Sequence, residues 1–321
     1  MTDWSGDAAL PGYVTRTIPL SEASTYAGEP EGSLVATVIR RGDGGRRRAV
    51  LYIHGWSDYF FQSHVGDAFD ALGYDFYAID LRRYGRSLRT GQLAGYIPDL
   101  RDYAVELDAA LEIVRDEGHD AIVLAGHSTG GLIASLYANK RPGTFTALFL
   151  NAPWIEFQGS QLTRAAAHPL MTAMSAVSPT TALPTGENNF YHRTISADLD
   201  GEWRFDTNLK GNHAFRIRVG WLRAIMAGQA RIERGLDIDV PVLVIMSDRS
   251  KPGIISNTFL EEYAELDLVL DVQRIAERAP DLGKHVTLIR IPGALHDVTL
   301  SREPIRRRVF DELGRFLGAY A

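Results

Sequence analysis

The 321-residue sequence has no cysteine. Disulfide staples, thiolate catalysis and cysteine-ligated metal are excluded from its chemistry in any compartment. No apolar run approaches the roughly 20 residues of a membrane-spanning helix. The opening segment Met1-Thr2-Asp3-Trp4-Ser5-Gly6-Asp7 has neither a basic n-region nor an apolar h-region. A cytoplasmic protein without stable membrane insertion is the expectation. Positive charge is also short. With 34 Lys+Arg against 40 Asp+Glu the net charge is −6, which argues against nucleic acid as a partner. The chain lacks an H-E-x-x-H pair and a dinucleotide-type glycine loop, so neither a metal nor an organic cofactor is expected.

What is present describes an ordinary globular protein: 45% hydrophobic and 23% charged residues. The length suits one large α/β domain with an insertion, or two small domains. Continuous apolar runs at 49–53, 75–80, 122–126, 145–150, 240–246 and 286–291 read as strands buried on both faces. Val14 to Leu20 reads as an edge strand and Ser33 to Arg40 as a strand. Between them lie amphipathic helical stretches at 60–72, 97–117, 132–137, 272–278 and 304–317, with a further helix around Asn257–Leu266. The alternation predicts a mostly parallel sheet flanked by helices. It breaks between 153 and 236, where helical pieces separated by Pro169, Pro179 and Pro184 carry Trp154, Trp203 and Trp221. Met171, Met174, Met226, Phe190, Tyr191, Phe205 and Phe215 also fall there. This composition suits an apolar lid over a substrate pocket and equally a second small core.

The central motif is Gly126-His127-Ser128-Thr129-Gly130 between a strand and a helix. G-x-S-x-G at such a junction is a nucleophile elbow: the serine occupies a turn too tight for neighbouring Cβ atoms, and glycine supplies the freedom. Two more signals accompany it. His54-Gly55-Trp56 leaves the strand 49–53, where a glycine lets backbone amides approach an oxyanion; the His54 ring itself reads as structural. His296 follows the last strand in Pro292-Gly293-Ala294-Leu295-His296, the place from which a base reaches back to the elbow. The basic run Arg46-Arg47-Arg48 reads as a solvated approach to its strand.

Together these motifs, with Asp80-Leu81-Arg82-Arg83-Tyr84-Gly85-Arg86-Ser87, resemble the α/β-hydrolase superfamily over nearly the whole chain. Within it the resemblance is to the monoacylglycerol lipase and lysophospholipase group, also described as serine aminopeptidase-like hydrolases. The resemblance implies a helical lid inserted after the sixth strand, here 153–236, on a core of 1–152 and 237–321. It also implies oxyanion donors at the amides of Trp56 and Thr129. For the acid it leaves two candidates. Asp267 stands 29 residues before His296, the spacing of the group, which makes Arg249 to Leu266 an insertion. Asp248 directly follows the strand 240–246, one or two residues before the group's usual position, occupied here by Ser250. Asp267 is preferred and Asp248 is the alternative. The expected activity is hydrolysis of carboxylic esters of acyl-chain substrates, monoacylglycerol or lysophospholipid-like, through an acyl-enzyme on Ser128 with His296 as base. Met171, Met174 and Phe215 are expected to line the acyl site. The partner expected is a small ester or lipid. A non-catalytic ligand receptor, an aminopeptidase, a C–C hydrolase and a perhydrolase are the competing readings, because fold resemblance does not fix chemistry.

Overall fold

The structure is a computed structural model. It describes all residues except 1–3, 22, 27, 159–160, 185–188, 211–213, 255 and 257, and only the backbone of 161–168. Nine strands form one sheet: β1 (Ser5–Gly6), β2 (Tyr13–Pro19), β3 (Val35–Arg41), β4 (Arg48–Ile53), β5 (Asp75–Asp80), β6 (Ala121–His127), β7 (Ala147–Asn151), β8 (Val242–Ser247) and β9 (Val286–Ile291). Their spatial order is β1-β2-β3-β5-β4-β6-β7-β8-β9. From β5 to β9 every pairing is parallel; β1 to β3 join as an antiparallel extension. The apolar runs become strands because both sheet faces are covered. Val50 and Tyr52 enter one core, while Leu51 and Ile53 enter the other.

The helices are α1 (Ser63–Ala71), α2 (Ala104–Asp116), α3 (Thr129–Asn139), α4 (Gln161–Val177), α5 (Phe190–Ile195), α6 (Thr207–Lys210), α7 (Val219–Glu233), α8 (Val272–Arg278) and α9 (Glu303–Tyr320). Phe69 of α1 and Leu313 of α9 pack on the Val50 face; Leu107 of α2, Leu132 of α3 and Ile275 of α8 pack on the Leu51 face. Strand order reverses at β4, which has β5 on one side and β6 on the other. In an open parallel sheet the crevice forms at the carboxyl ends of strands at such a reversal. The loops carrying His54-Gly55 and Ser128 leave these two neighbouring strands.

The helix expected over 97–117 is shorter. Asp99 accepts the Arg101 amide at 2.9 Å and turns Leu100–Tyr103 into a 3₁₀ segment, so regular α-helix starts only at Ala104. Around 257–266 the α-helix is replaced by a 3₁₀ turn, Glu261–Glu265; Asn257 lies outside the described residues. Pro169 does not separate helices but sits inside α4. The basic run is absorbed locally: Arg46 pairs with Asp70 and Asp75, Arg47 with Asp120, and Arg48 covers the Tyr74 ring.

Helices α4 to α7 all fall between β7 and β8, and the segment is tied to the rest at several points. The Trp203 indole donates to the Leu300 carbonyl at 2.6 Å, and its ring stacks on His64 with centroids 4.0 Å apart. His64 Nε2 donates to the Thr299 carbonyl at 2.9 Å. Burial drives the His64 pKa down to about 4, outweighing the opposing effect of that carbonyl. The ring is therefore neutral in the fold, whereas the unfolded chain takes up its proton near pH 6.5. Between those values the unfolded state binds more protons, so stability falls as pH drops, by on the order of 2–3 kcal/mol. His64→Phe keeps the stacking and removes the titration. The stability difference between the wild type and this variant, from urea unfolding at pH 7 and pH 4, should shrink by that amount; a constant difference would assign the acid sensitivity elsewhere.

Candidate active site

Ser128 follows β6 with φ 52° and ψ −116°, outside the regions open to L side chains. The elbow explains its glycines by contact. A Cβ on Gly126 would stand 2.5 Å from the Gly130 carbonyl oxygen, and one on Gly130 would strike the carbonyls of Ile53 and His54. The turn is held on both sides: the Ser128 amide donates to Asn151 O at 3.0 Å, and its carbonyl accepts from Trp154 N at 2.9 Å and Gly131 N at 3.0 Å. Thr129 is the first residue of α3, so its amide has no partner within the helix.

Gly55 lies against the elbow. A Cβ there would meet His127 Cδ2 at 2.9 Å and Ser128 Cβ at 3.3 Å. His54 Nε2 accepts the Leu81 amide at 3.1 Å, which leaves Nδ1 protonated to donate to Gly55 O at 2.8 Å. The His54 ring thus braces two loops. The Trp56 indole is packed against Trp221, with centroids 3.8 Å apart, and against Tyr84 and Phe215. Among the described residues neither the Trp56 nor the Thr129 amide donates a hydrogen bond. Trp56 lines the same pocket as Ser128, and the Thr129 amide stands at the N-terminus of α3, where the helix dipole favours negative charge.

His296 Nδ1 donates to Asp267 Oδ2 at 2.8 Å, both groups being buried. This makes Nε2 the unprotonated nitrogen, able to take a hydroxyl proton. The other Asp267 oxygen accepts the amides of Val269 and Leu270, each at 2.7 Å. Asp248 takes another partner, the Gly293 amide at 3.3 Å. Asp267 reaches the ring despite its late sequence position because the chain closes on itself. A parallel bridge joins Ser250 to Asp267, with Asp267 N on Arg249 O at 3.0 Å and Lys251 N on Asp267 O at 2.8 Å. The bridge sets the Asp267 backbone beside Ser250. Ser128 and His296 line one pocket; among the described residues no hydrogen bond joins the Ser128 hydroxyl to the ring.

That pocket has a volume of about 410 Å³. Its apolar wall includes Phe190, Tyr191, Ile195, Ile254, Leu268 and Val269. The structure does not bring the three expected lining residues there. Met171 and Met174 pack with Val219 and Met226 in a separate cluster, and Phe215 packs on the Trp56 and Tyr84 rings. Methionines and aromatics fill cores and pockets alike, so composition does not sort them.

Several site neighbours escape sequence reasoning. Asp58 pairs with Lys210 of α6 at the pocket wall, both side chains buried. Tyr191 of α5, expected only as part of the apolar composition of 153–236, sets its ring edge-on to His296, centroids 5.5 Å apart. Asn151, a polar residue ending an apolar strand, is the one with a legible signal. Its carbonyl accepts from Ser128 N and from His127 Nδ1, and its side chain donates to Asp297 at 2.7 Å. Burial lowers the His127 pKa against the opposing field of Asp297. Burial alone would raise the Asp297 carboxyl. The field of His127 and the bonds from Thr299 and Asn151 prevail and hold it below the usual range.

A mostly parallel sheet with a strained serine after one strand and a His–Asp pair after the later ones defines an α/β-hydrolase. The family model described as "Serine aminopeptidase, S33" (Hydrolase_4) matches residues 44–303, and the chain belongs to that family. It is 24% identical over 273 residues to a monoacylglycerol lipase of Mycolicibacterium smegmatis, covering 83% of this chain and 86% of that one. To lysophospholipase L2 of Escherichia coli it is 27% identical over 254 residues, covering 73% and 69%. Among solved structures it resembles a carboxyl esterase of Bacillus coagulans, with a TM-score of 0.67 at 15% identity, covering 95% of this chain and 98% of that one.

The two aspartates make separable forecasts. Asp267→Asn should lower kcat for a p-nitrophenyl ester by ~10³–10⁴-fold, because the amide holds the imidazole in the wrong tautomer. Asp248→Asn should cost less than about tenfold, acting only through the Gly293 turn. The reverse order of losses would move the acid's role to Asp248.

Proposed function

We propose that the chain is a serine ester hydrolase of acyl-chain substrates, monoacylglycerol or lysophospholipid-like, working through an acyl-enzyme on Ser128. The observation that carries this reading is the His296–Asp267 hydrogen bond on the pocket that Ser128 lines. In this mechanism His296 Nε2 takes the Ser128 proton as Oγ attacks the ester carbonyl. The Trp56 and Thr129 amides stabilise the oxyanion. The protonated ring then gives its proton to the leaving alcohol, and water attacks the acyl-enzyme by the same route in reverse.

The lipid part of the reading is supported by the apolar wall around Phe190, Ile195, Ile254 and Leu268, and by a pocket volume typical of small-molecule sites. The names carried by the two sequence relatives point the same way. We assign residues 153–236 to a cap over a core made of 1–152 and 237–321. Its support is that Phe190, Tyr191, Ile195 and Lys210 close the pocket from this segment. Among the described residues no helix is long and apolar enough to cross a membrane.

The test combines a fluorophosphonate probe with a substrate panel of p-nitrophenyl esters, monoacylglycerols, lysophospholipids and aminoacyl anilides. Wild type should be labelled on Ser128 and should prefer the lipid esters. Ser128→Ala should lose labelling and at least ~10⁴-fold in kcat while keeping its thermal midpoint. Turnover confined to aminoacyl anilides would replace the ester reading with an aminopeptidase, and a folded, unlabelled wild type would leave a ligand receptor.

A further inference from the structure

A second cavity, of about 760 Å³, shares no wall residue with the Ser128 pocket. It lies where the stretch 98–107, α3 and α7 meet. Its floor is apolar: Leu100, Leu107, Ile133 and Ala224 are buried and Leu136 is half-buried. Gly228 lets α7 approach this floor, since a Cβ there would stand 2.8 Å from Leu100 Cδ1 and 3.0 Å from Leu136 Cδ1.

The rim is cationic. Arg101, Lys140, Arg141, Arg223, Arg231 and Arg234 face one carboxylate, Asp99. Arg101 is paired with Asp99, and Arg141 with Asp108. Among the described residues the other four have no carboxylate partner. Arg223 donates to Pro98 O at 2.8 Å and Arg231 to Gly235 O at 2.6 Å, both neutral acceptors. In a chain of net charge −6 this is a local reversal of sign. Unpaired guanidinium groups beside a concavity favour carboxylate or phosphate. The lining is more apolar than polar, a requirement that a small inorganic anion does not meet. A flat bilayer fits poorly as well: none of the exposed large apolar side chains of the described residues belongs to the cavity wall.

We propose that this cavity is a binding site for a free, single-chain anionic amphiphile of the fatty-acid class. Its chain lies on Leu100, Ile133 and Leu136, and its head group meets Arg223, Arg231, Arg234 and Lys140. The site stands apart from Ser128, and binding here does not require the chain to hydrolyse anything.

The probe is dodecanoic acid bearing a diazirine in its chain, below its critical micelle concentration, with the matching diazirine dodecanol as neutral control. Cross-links on the full chain are mapped by peptide mass spectrometry. The acid should label peptides within 98–107, 133–141 and 223–234, be displaced by excess dodecanoate, and outlabel the alcohol about tenfold. Arg231→Gln with Arg234→Gln should weaken this labelling about tenfold. Ala227→Trp, on an exposed position of the wall, should abolish it by filling the cavity, with the thermal midpoint kept. Equal labelling by acid and alcohol, or labelling confined to the Ser128 pocket, would overturn the proposal. So would binding only to phosphatidylglycerol vesicles. Because the readout is a mapped position, a chain inactive on every ester still gives a decisive result.

Discussion

Ser128 holds a backbone conformation that costs on the order of 1–3 kcal/mol for a residue with a Cβ, and much of the surrounding structure exists to keep it there. Asn151, Trp154 and Gly131 bond its amide and carbonyl. Gly126 and Gly130 vacate the space that the turn needs, and Gly55 admits the neighbouring loop to van der Waals contact with the serine. Sheet topology makes this meeting possible, because the two loops leave adjacent parallel strands where the order reverses. A local strain is thus held partly by long-range contacts from Asn151, Trp154 and Gly55, which lie off the elbow helix.

The loop opposite the elbow has a second master. Ser57, itself at φ 51°, donates to Lys210 O at 3.2 Å and accepts from Phe215 N at 3.1 Å, while the Asp58 carboxylate takes the Lys210 ammonium. The residues flanking the Trp56 amide are therefore bonded to the segment between β7 and β8. Loosening α6 would disturb the loop that holds this amide. The Asp58–Lys210 pair is buried, and removing one partner would strand the other's charge, a far larger penalty than the pair's net contribution.

Much of the sheet was legible because a strand covered on both faces has to be continuously apolar, and few other structures look like Leu51 to Ile53 or Val242 to Met246. The elbow was legible because its glycines are dictated by contact distances. The pocket wall was not. Met171 and Phe190 are equally apolar, yet one packs inside α4 and α7 while the other faces the cavity; only the turn of a short helix decides. Asp58, Lys210 and Asp297 were invisible for a related reason: each acts through a partner distant in sequence, and charge alone does not name that partner. The long helix over 97–117 was misjudged at its start, where the Asp99 side chain competes successfully for a backbone amide.

The clamp between Ser250 and Asp267 separates geometry from chain length. Because the excursion 252–266 is pinched shut at its base, the carboxylate's position depends on the clamp rather than on what lies beyond it. Closing a loop twice as long costs only about 0.6 kcal/mol more. Outside the pocket-wall residues Gly253 and Ile254, such a segment is free to change length over evolutionary time while the distance from Asp267 to His296 stays fixed. The same property makes it a graft point, provided that Ile254 keeps its place in the pocket wall and Tyr263 its contact with Phe190.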